Sequence, residues 1–308
     1  MRLRYIIEYI LFQSVAALLT LLPLRLVRSI GALLGGGAYS LWAHRRRIAL
    51  DNLTKAFPDR SRGELESIAK GAFRNVGISL LELLWFSRIT PDKIRSLVRF
   101  DNPDLIRERY AQGKGLLLLT AHFGNWELLA QSVKTNLGIP VHIIVKTQAN
   151  PLVDKKVNQR RTRFGNPVIP METSLREVLK ALRAGEAIGI VADQAAPMEN
   201  VPIEFFGRNV PTHQGPAVLS LKVGSPLVAL FSVRQADGSY EVYVREIPRR
   251  DLGGYTPENV VELTKRHTKL TEEFIRTYPD HWMWMHKRWK HVPADEEVHV
   301  PVKAHEED

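Results

Sequence analysis

The run Leu116-Leu117-Leu118-Leu119-Thr120 constrains the fold more than any other segment. It is short, continuous and apolar, bounded by the turn Gly113-Lys114-Gly115 and by Ala121-His122-Phe123-Gly124. An apolar run of this length is characteristic of a strand buried on both faces, inside a parallel sheet with helices on either side. Residues 141–146 and 187–192 repeat the pattern. Helical patterns stand between, one ending at Gly138 and one over 174–183 ended by Gly185. Residues 226–233 and 240–247 read as two more strands, joined as a hairpin across Ala236-Asp237-Gly238-Ser239. Ser61 with Glu64 makes a capping-box pattern at the head of a helical stretch over 60–96. Further helices are predicted over 158–164, 210–223 and 257–278. The alternation predicts an α/β fold, a largely parallel sheet flanked by helices.

A different pattern precedes this. Residues 6–22 read IIEYILFQSVAALLTLL, with Glu8 as their one charge. As a helix they span roughly 26 Å at ~1.5 Å per residue, slightly short of the ~30 Å hydrocarbon core of a bilayer. Residues 30–43 form a second apolar stretch whose three consecutive glycines weaken an isolated helix but permit close helix packing. Three readings compete for the first stretch: a cleaved signal peptide, a buried core helix, and a membrane anchor, spanning or monotopic. Glu8 and the lack of a clean A-x-A site weigh against the first. Basic residues flank the segment, Arg2 and Arg4 before, Arg25, Arg28 and Arg45 to Arg47 after. The larger downstream cluster favours an anchor with the main domain on the cytoplasmic side, its arginines available to anionic headgroups. The expected organisation is a membrane-associated helical segment over 1–47, a main domain over 48–292 and a polar tail over 293–308.

The 43 Lys+Arg exceed the 33 Asp+Glu by 43 − 33 = 10, which favours an anionic partner. The absence of cysteine excludes disulfides, Cys-ligated metal and a thiol nucleophile. Chemistry therefore falls on Thr120-Ala121-His122-Phe123-Gly124-Asn125-Trp126-Glu127, a histidine at the carboxyl end of a buried strand with a carboxylate five residues on. Ligand sites in open α/β sheets lie at that end. His122 and Glu127 can meet only with His122 in the loop and Glu127 in the first helical turn, Gly124 providing the bend. The carboxylate can then hold one imidazole nitrogen protonated while the other takes a proton from an alcohol. The alternative is a loop histidine that caps or packs. Asn125 suits an N-cap as well as a site. Asp193, followed by Gln194, also ends a strand, and either faces the same cleft or caps a turn. In Gln159-Arg160-Arg161-Thr162-Arg163, Arg160 and Arg163 share a helix face; they clamp phosphate, stabilise an oxyanion, or form a solvated basic face. The run WMWMHKRWK from Trp282 suits a headgroup interface, single-stranded nucleic acid, or an aromatic packing edge.

His-x4-Glu after an apolar strand is similar to the motif of glycerolipid and lysophospholipid acyltransferases. The chain as a whole resembles the bacterial lipid A biosynthesis acyltransferases. The ordered set that carries this runs from Arg46-Arg47, Asn52-Leu53 and Phe57-Pro58 through AHFGNWE and Asn150-Pro151-Leu152-Val153-Asp154 to Asp193-Gln194, Phe205-Phe206-Gly207, Pro211-Thr212 and WMWMHKRWK. It covers roughly residues 1–291. The resemblance implies a glycerolipid-acyltransferase-like α/β domain that moves a fatty acyl chain from an acyl carrier protein or coenzyme A thioester to a hydroxyl of a lipid A precursor. His122 would be the base and Glu127 its partner; Asn125, Arg160, Arg163, Asp193 and Gln194 would bind substrate. No metal, organic cofactor or nucleic acid is implied. The partners would be acyl carrier protein, a membrane lipid acceptor and the membrane surface, at the cytoplasmic face of the inner membrane. The other acceptors that fit are a different glycolipid such as a phosphatidylinositol mannoside, an aminolipid or a lysophospholipid. A non-catalytic basic lipid-binding protein is the alternative of another class.

Overall fold

The computed structural model describes residues 2–292; the tail expected over 293–308 lies outside them. Four helices come first: α1 (Leu3–Thr20), α2 (Leu24–Leu41), α3 (Ala43–Ala56) and α4 (Arg62–Trp85). Then follow α5 (Pro91–Leu97), β1 (Val98–Phe100), α6 (Pro103–Ala111), β2 (Leu116–Thr120), α7 (Trp126–Leu137), β3 (Val141–Val145) and α8 (Pro151–Arg161). The chain continues through β4 (Val168–Pro170), α9 (Ser174–Arg183), β5 (Ala187–Val191), β6 (Pro202–Phe205), β7 (Arg208–Pro211) and α10 (Gly215–Val223). It closes with β8 (Leu227–Arg234), β9 (Tyr240–Glu246) and α11 (Pro257–Thr277). Seven strands form one sheet in the order β1-β9-β8-β2-β5-β3-β4, parallel except at the β8–β9 hairpin. The α/β architecture with a largely parallel sheet is the one expected.

β2 shows why an unbroken apolar run was needed. Leu117 and Leu119 join the hydrophobic cluster on one face of the sheet, Leu116 and Leu118 the cluster on the other, and all four are buried. Alternate side chains thus serve two cores, which leaves no position for a polar residue. The capping box forms as the spacing predicts: Ser61 Oγ accepts from Glu64 N–H and the Glu64 carboxylate accepts from Ser61 N–H.

Three expectations are corrected. The stretch 60–96 is two helices, because Thr90 caps a new one whose first residue is Pro91. The basic helix begins earlier, at Pro151 under an Asn150 cap, and ends at Arg161. The first part of 210–223 belongs to the β6–β7 hairpin, turned at Phe206-Gly207 with positive φ at both, and the helix starts only at Gly215. The three-residue strands β1 and β4 were not predicted; so short a run carries no periodicity.

The glycine-rich stretch is helical because α2 lies backbone to backbone on α4. A Cβ at Gly31 would come within 2.7 Å of Ile78 Cα, and one at Gly35 within 2.8 Å of Arg74 Cα and into the Phe73 carbonyl. Arg28, expected to be free for headgroups, is instead drawn into this junction. Its Nε donates to the buried Glu82 at 2.5 Å, which also accepts from Tyr240 Oη at 2.6 Å. α1 packs on α4 and α8. Its other side exposes Leu3, Ile7, Ile10, Leu11, Leu18 and Leu21, and 11% of the helix is buried.

Candidate active site

Register brings the site together. β2 and β5 pair in parallel with Thr120 opposite Val191. His122 and Asp193 each lie two residues beyond those positions, 122 − 120 and 193 − 191, so both leave the sheet at its carboxyl edge side by side. The His122 loop is tight because Gly124 takes φ 56°, with the Ser232 carbonyl where a Cβ would stand. The segment after α11 clamps it: Gly124 N–H donates to His281 O at 2.8 Å and Met283 N–H donates to His122 O at 3.1 Å.

His122 Nδ1 lies 2.8 Å from Asp193 Oδ1, and its backbone N–H donates to Asp193 Oδ2 at 3.0 Å. Trp282 Nε1 donates to that same oxygen at 2.7 Å. Asp193 is therefore the carboxylate that orients the imidazole, and the expectation that Glu127 does so is corrected. The predicted placement of Glu127 in the first helical turn holds. From there its carboxylate is taken by Arg161, with Nε to Oε2 at 3.0 Å and Nη2 to Oε1 at 2.5 Å. Burial opposes a charged imidazole, but the charge and hydrogen bond of Asp193, helped by the charge of Glu127, raise the His122 pKa above its ordinary value. Burial likewise opposes ionised Asp193, and His122 and Trp282 overcome it, holding its pKa below the usual carboxylate range. Trp126 stands edge-on to the imidazole with ring centres 5.2 Å apart.

The remaining predicted residues divide. Gln194 joins the site, its Nε2 3.4 Å from His122 Nε2 and 3.5 Å from Nδ1. Asn125 caps α7, accepting from Leu128 N–H at 2.9 Å, and donates to the buried Glu82; these are structural duties. Arg160 and Arg163 border the same cleft, but not as one helix face, since α8 ends at Arg161 and Arg163 lies beyond it. Arg163 donates to the Phe86 carbonyl, while Arg160 stacks over the Phe12 ring of α1. Arg161, adjacent in sequence, is the one that reaches the motif; no pattern in the run distinguishes it, because only the approach of the α8 C-terminus to α7, where Gln131 Nε2 donates to Arg161 O, does. Of the three readings of WMWMHKRWK, the packing edge is right for its tryptophans: Trp282, Trp284 and Trp289 are buried, with Lys287 and Lys290 exposed.

Two hollows flank this segment. One, of about 450 Å³, is apolar and lies between α2 and α4, with Gly35, Val76, Leu80, Met283 and Met285 in its wall. The other, of about 790 Å³, is an open cationic groove with Arg45, His286, Lys287 and Lys290 on its sides. Arg45 and His286 border both.

Met283, in the wall of the apolar cavity, is the residue whose N–H donates to His122 O. The model of the bacterial lipid A biosynthesis acyltransferase family matches residues 1–291. The chain belongs to that family. It is an acyltransferase, and His122 and Glu127 form its His-x4-Glu motif. It is 28% identical over 282 residues to the lipid A biosynthesis palmitoleoyltransferase of Escherichia coli (strain K12), covering 89% of this chain and 88% of the relative. It is also 28% identical over 279 residues to the lauroyltransferase of the same organism, covering 88% of each. A phosphatidylinositol mannoside acyltransferase of Mycolicibacterium smegmatis is 25% identical over 189 residues, 60% of each chain.

Proposed function

We propose that this acyltransferase moves a fatty acyl chain from an acyl carrier protein or coenzyme A thioester to a hydroxyl of a lipid A precursor. The observation that carries the reading is the His122–Asp193 pair. With Nδ1–H turned to Asp193, Nε2 is the nitrogen left to take the acceptor's proton. The hydroxyl oxygen attacks the thioester carbon as its proton passes to Nε2. The tetrahedral oxyanion collapses, the C–S bond breaks, and the thiolate recovers the proton from the imidazolium. A thioester carries its own activation, so this sequence calls on no metal or organic cofactor. Oxyanion stabilisation is assigned to the α7 N-terminus beside His122 and to the neighbouring Arg161 cation. Glu127 serves by fixing Arg161 and by favouring the imidazolium through its charge.

The apolar cavity suits the acyl chain, since about 450 Å³ falls in the range of pockets that enclose a small ligand. The cationic groove suits the anionic end of either substrate: carrier-protein carboxylates, nucleotide phosphates or lipid phosphates. The exposed apolar side of α1 supports a membrane-bound enzyme whose first helix lies along the bilayer, at the cytoplasmic face of the inner membrane where carrier-bound acyl groups are made. A glycolipid acceptor other than lipid A is the second reading, favoured by the phosphatidylinositol mannoside relative.

Mass spectrometry of lipids from a strain lacking the protein tests the acceptor. An under-acylated lipid A restored by the wild-type protein and not by His122→Ala is expected; unchanged lipid A with another glycolipid under-acylated would favour the second reading. Vesicle flotation tests the location, with weaker partition of Leu11→Glu/Leu18→Glu expected; equal flotation of that variant would sink the α1 assignment.

A further inference from the structure

Arg160 is separated from Arg161 by about 100° around α8 and faces away from the reaction centre. It is 8% exposed, stacked 4.9 Å over the Phe12 ring. Its Nε and Nη1 are buried and donate to no partner among the described residues. A guanidinium so placed has left water without recovering its hydrogen bonds, which costs free energy unless an anion completes it. Burial lowers its pKa, with Tyr9 opposing in part. The side chain borders a cleft of about 440 Å³ between α1 and α8, where Lys156 and Arg163 supply two more cations and no acidic residue lines the wall. Gln13 Oε1, from α1, is also buried at this cleft without a partner among the described residues. The cleft reaches Ala17 and Thr20, close to the exposed Leu21 at the end of α1.

We infer that the α1–α8 cleft binds the phosphate of a lipid headgroup through Arg160, at a site separate from the His122 centre. The geometry suits a phosphate whose charged non-ester oxygens accept from Arg160 and Lys156 while the acyl chains leave the cleft past Ala17 and Thr20 toward the exposed Leu21. The ligand is a bilayer phospholipid with net negative charge, since three cations and no carboxylate line the cleft. Its binding would tie α1 to α8 and so hold the first helix against the catalytic domain.

Thermal unfolding of the full-length protein in nanodiscs tests this, comparing phosphatidylcholine alone with phosphatidylcholine containing phosphatidylglycerol. The anionic lipid is expected to raise the wild-type Tm by on the order of 3 °C. The rise should vanish in Arg160→Gln, shrink by half or more in Lys156→Gln, and persist in Lys155→Gln, which removes one exposed charge from the same helix. Lys156→Gln keeps the test decisive if Arg160→Gln does not fold. A rise retained in both cleft variants, or lost equally in Lys155→Gln, would overturn the site. A rise reproduced in phosphatidylcholine by millimolar inorganic phosphate would overturn the lipid assignment in favour of the free anion.

Discussion

Asp193 holds His122 at two points, the ring through Oδ1 and the main chain through Oδ2. One carboxylate therefore sets both the rotation of the imidazole and the position of the loop that carries it. His122→Ala is expected to lower turnover by about 10²- to 10⁴-fold while the protein still folds. Asp193→Ala should lose activity comparably and also stability, by about 1–3 kcal/mol, because the His122 and Trp282 donors lose their acceptor. Steady-state assays paired with denaturant unfolding check both; a folded, active His122→Ala enzyme would refute the mechanism.

The pH profile follows from the direction of the His122 shift. The base acts as neutral imidazole, so kcat/KM should rise with pH through the His122 pKa and level off above it. That pKa is raised from 6.5, so the ascending limb lies above pH 6.5. Asp193→Asn removes the largest influence raising it and should move the limb to lower pH at reduced rate. A limb that stays in place in the variant would mean that another group titrates.

Glu127 and Arg161 are each mostly buried and bound through two hydrogen bonds. Removing one partner leaves an uncompensated charge, so Glu127→Ala should cost about 3–5 kcal/mol of stability. Replacing both, Glu127→Gln with Arg161→Met, should cost less than the sum of the single changes. Urea unfolding of the four species measures the coupling, and strict additivity would show the ion pair to be incidental.

The α2–α4 junction makes a sharp contrast between neighbouring glycines. Gly35→Ala forces a methyl into the α4 backbone and should destabilise the fold by ~1–3 kcal/mol. Gly37→Ala meets no atom within 4 Å and should stabilise it by roughly 0.5–1 kcal/mol through helix propensity. Thermal unfolding separates the two, and similar shifts in both would contradict the close contact.

Much of this was legible in the sequence. The apolar runs of β2 and β5 and the box at Ser61 declare themselves through local periodicity and capping. His122 stands out as a histidine at a strand end before a glycine bend. The pairing of His122 with Asp193 was not legible, because it depends on which strands are neighbours and in what register. The choice of Arg161 over Arg160 and Arg163 is likewise a matter of how the end of α8 approaches Glu127 and Gln131 of α7. Arg28 read as a surface charge because its acceptor, Glu82, lies 54 residues away.

The glycine contact between α2 and α4 has a consequence for the cavity that opens beside it. Gly35 and Gly77 are part of its wall, and there the wall is main chain already in contact with main chain. Two helices that touch at their backbones can neither draw nearer nor slide without breaking the fit. The width at that end is thus a constant of the scaffold, as a fixed jaw is in a vice. The side chains that line the rest, among them Trp42, Leu80 and Met285, are free to vary, and they act as the movable jaw: substitutions there would lengthen or shorten the hollow while its bore stayed the same.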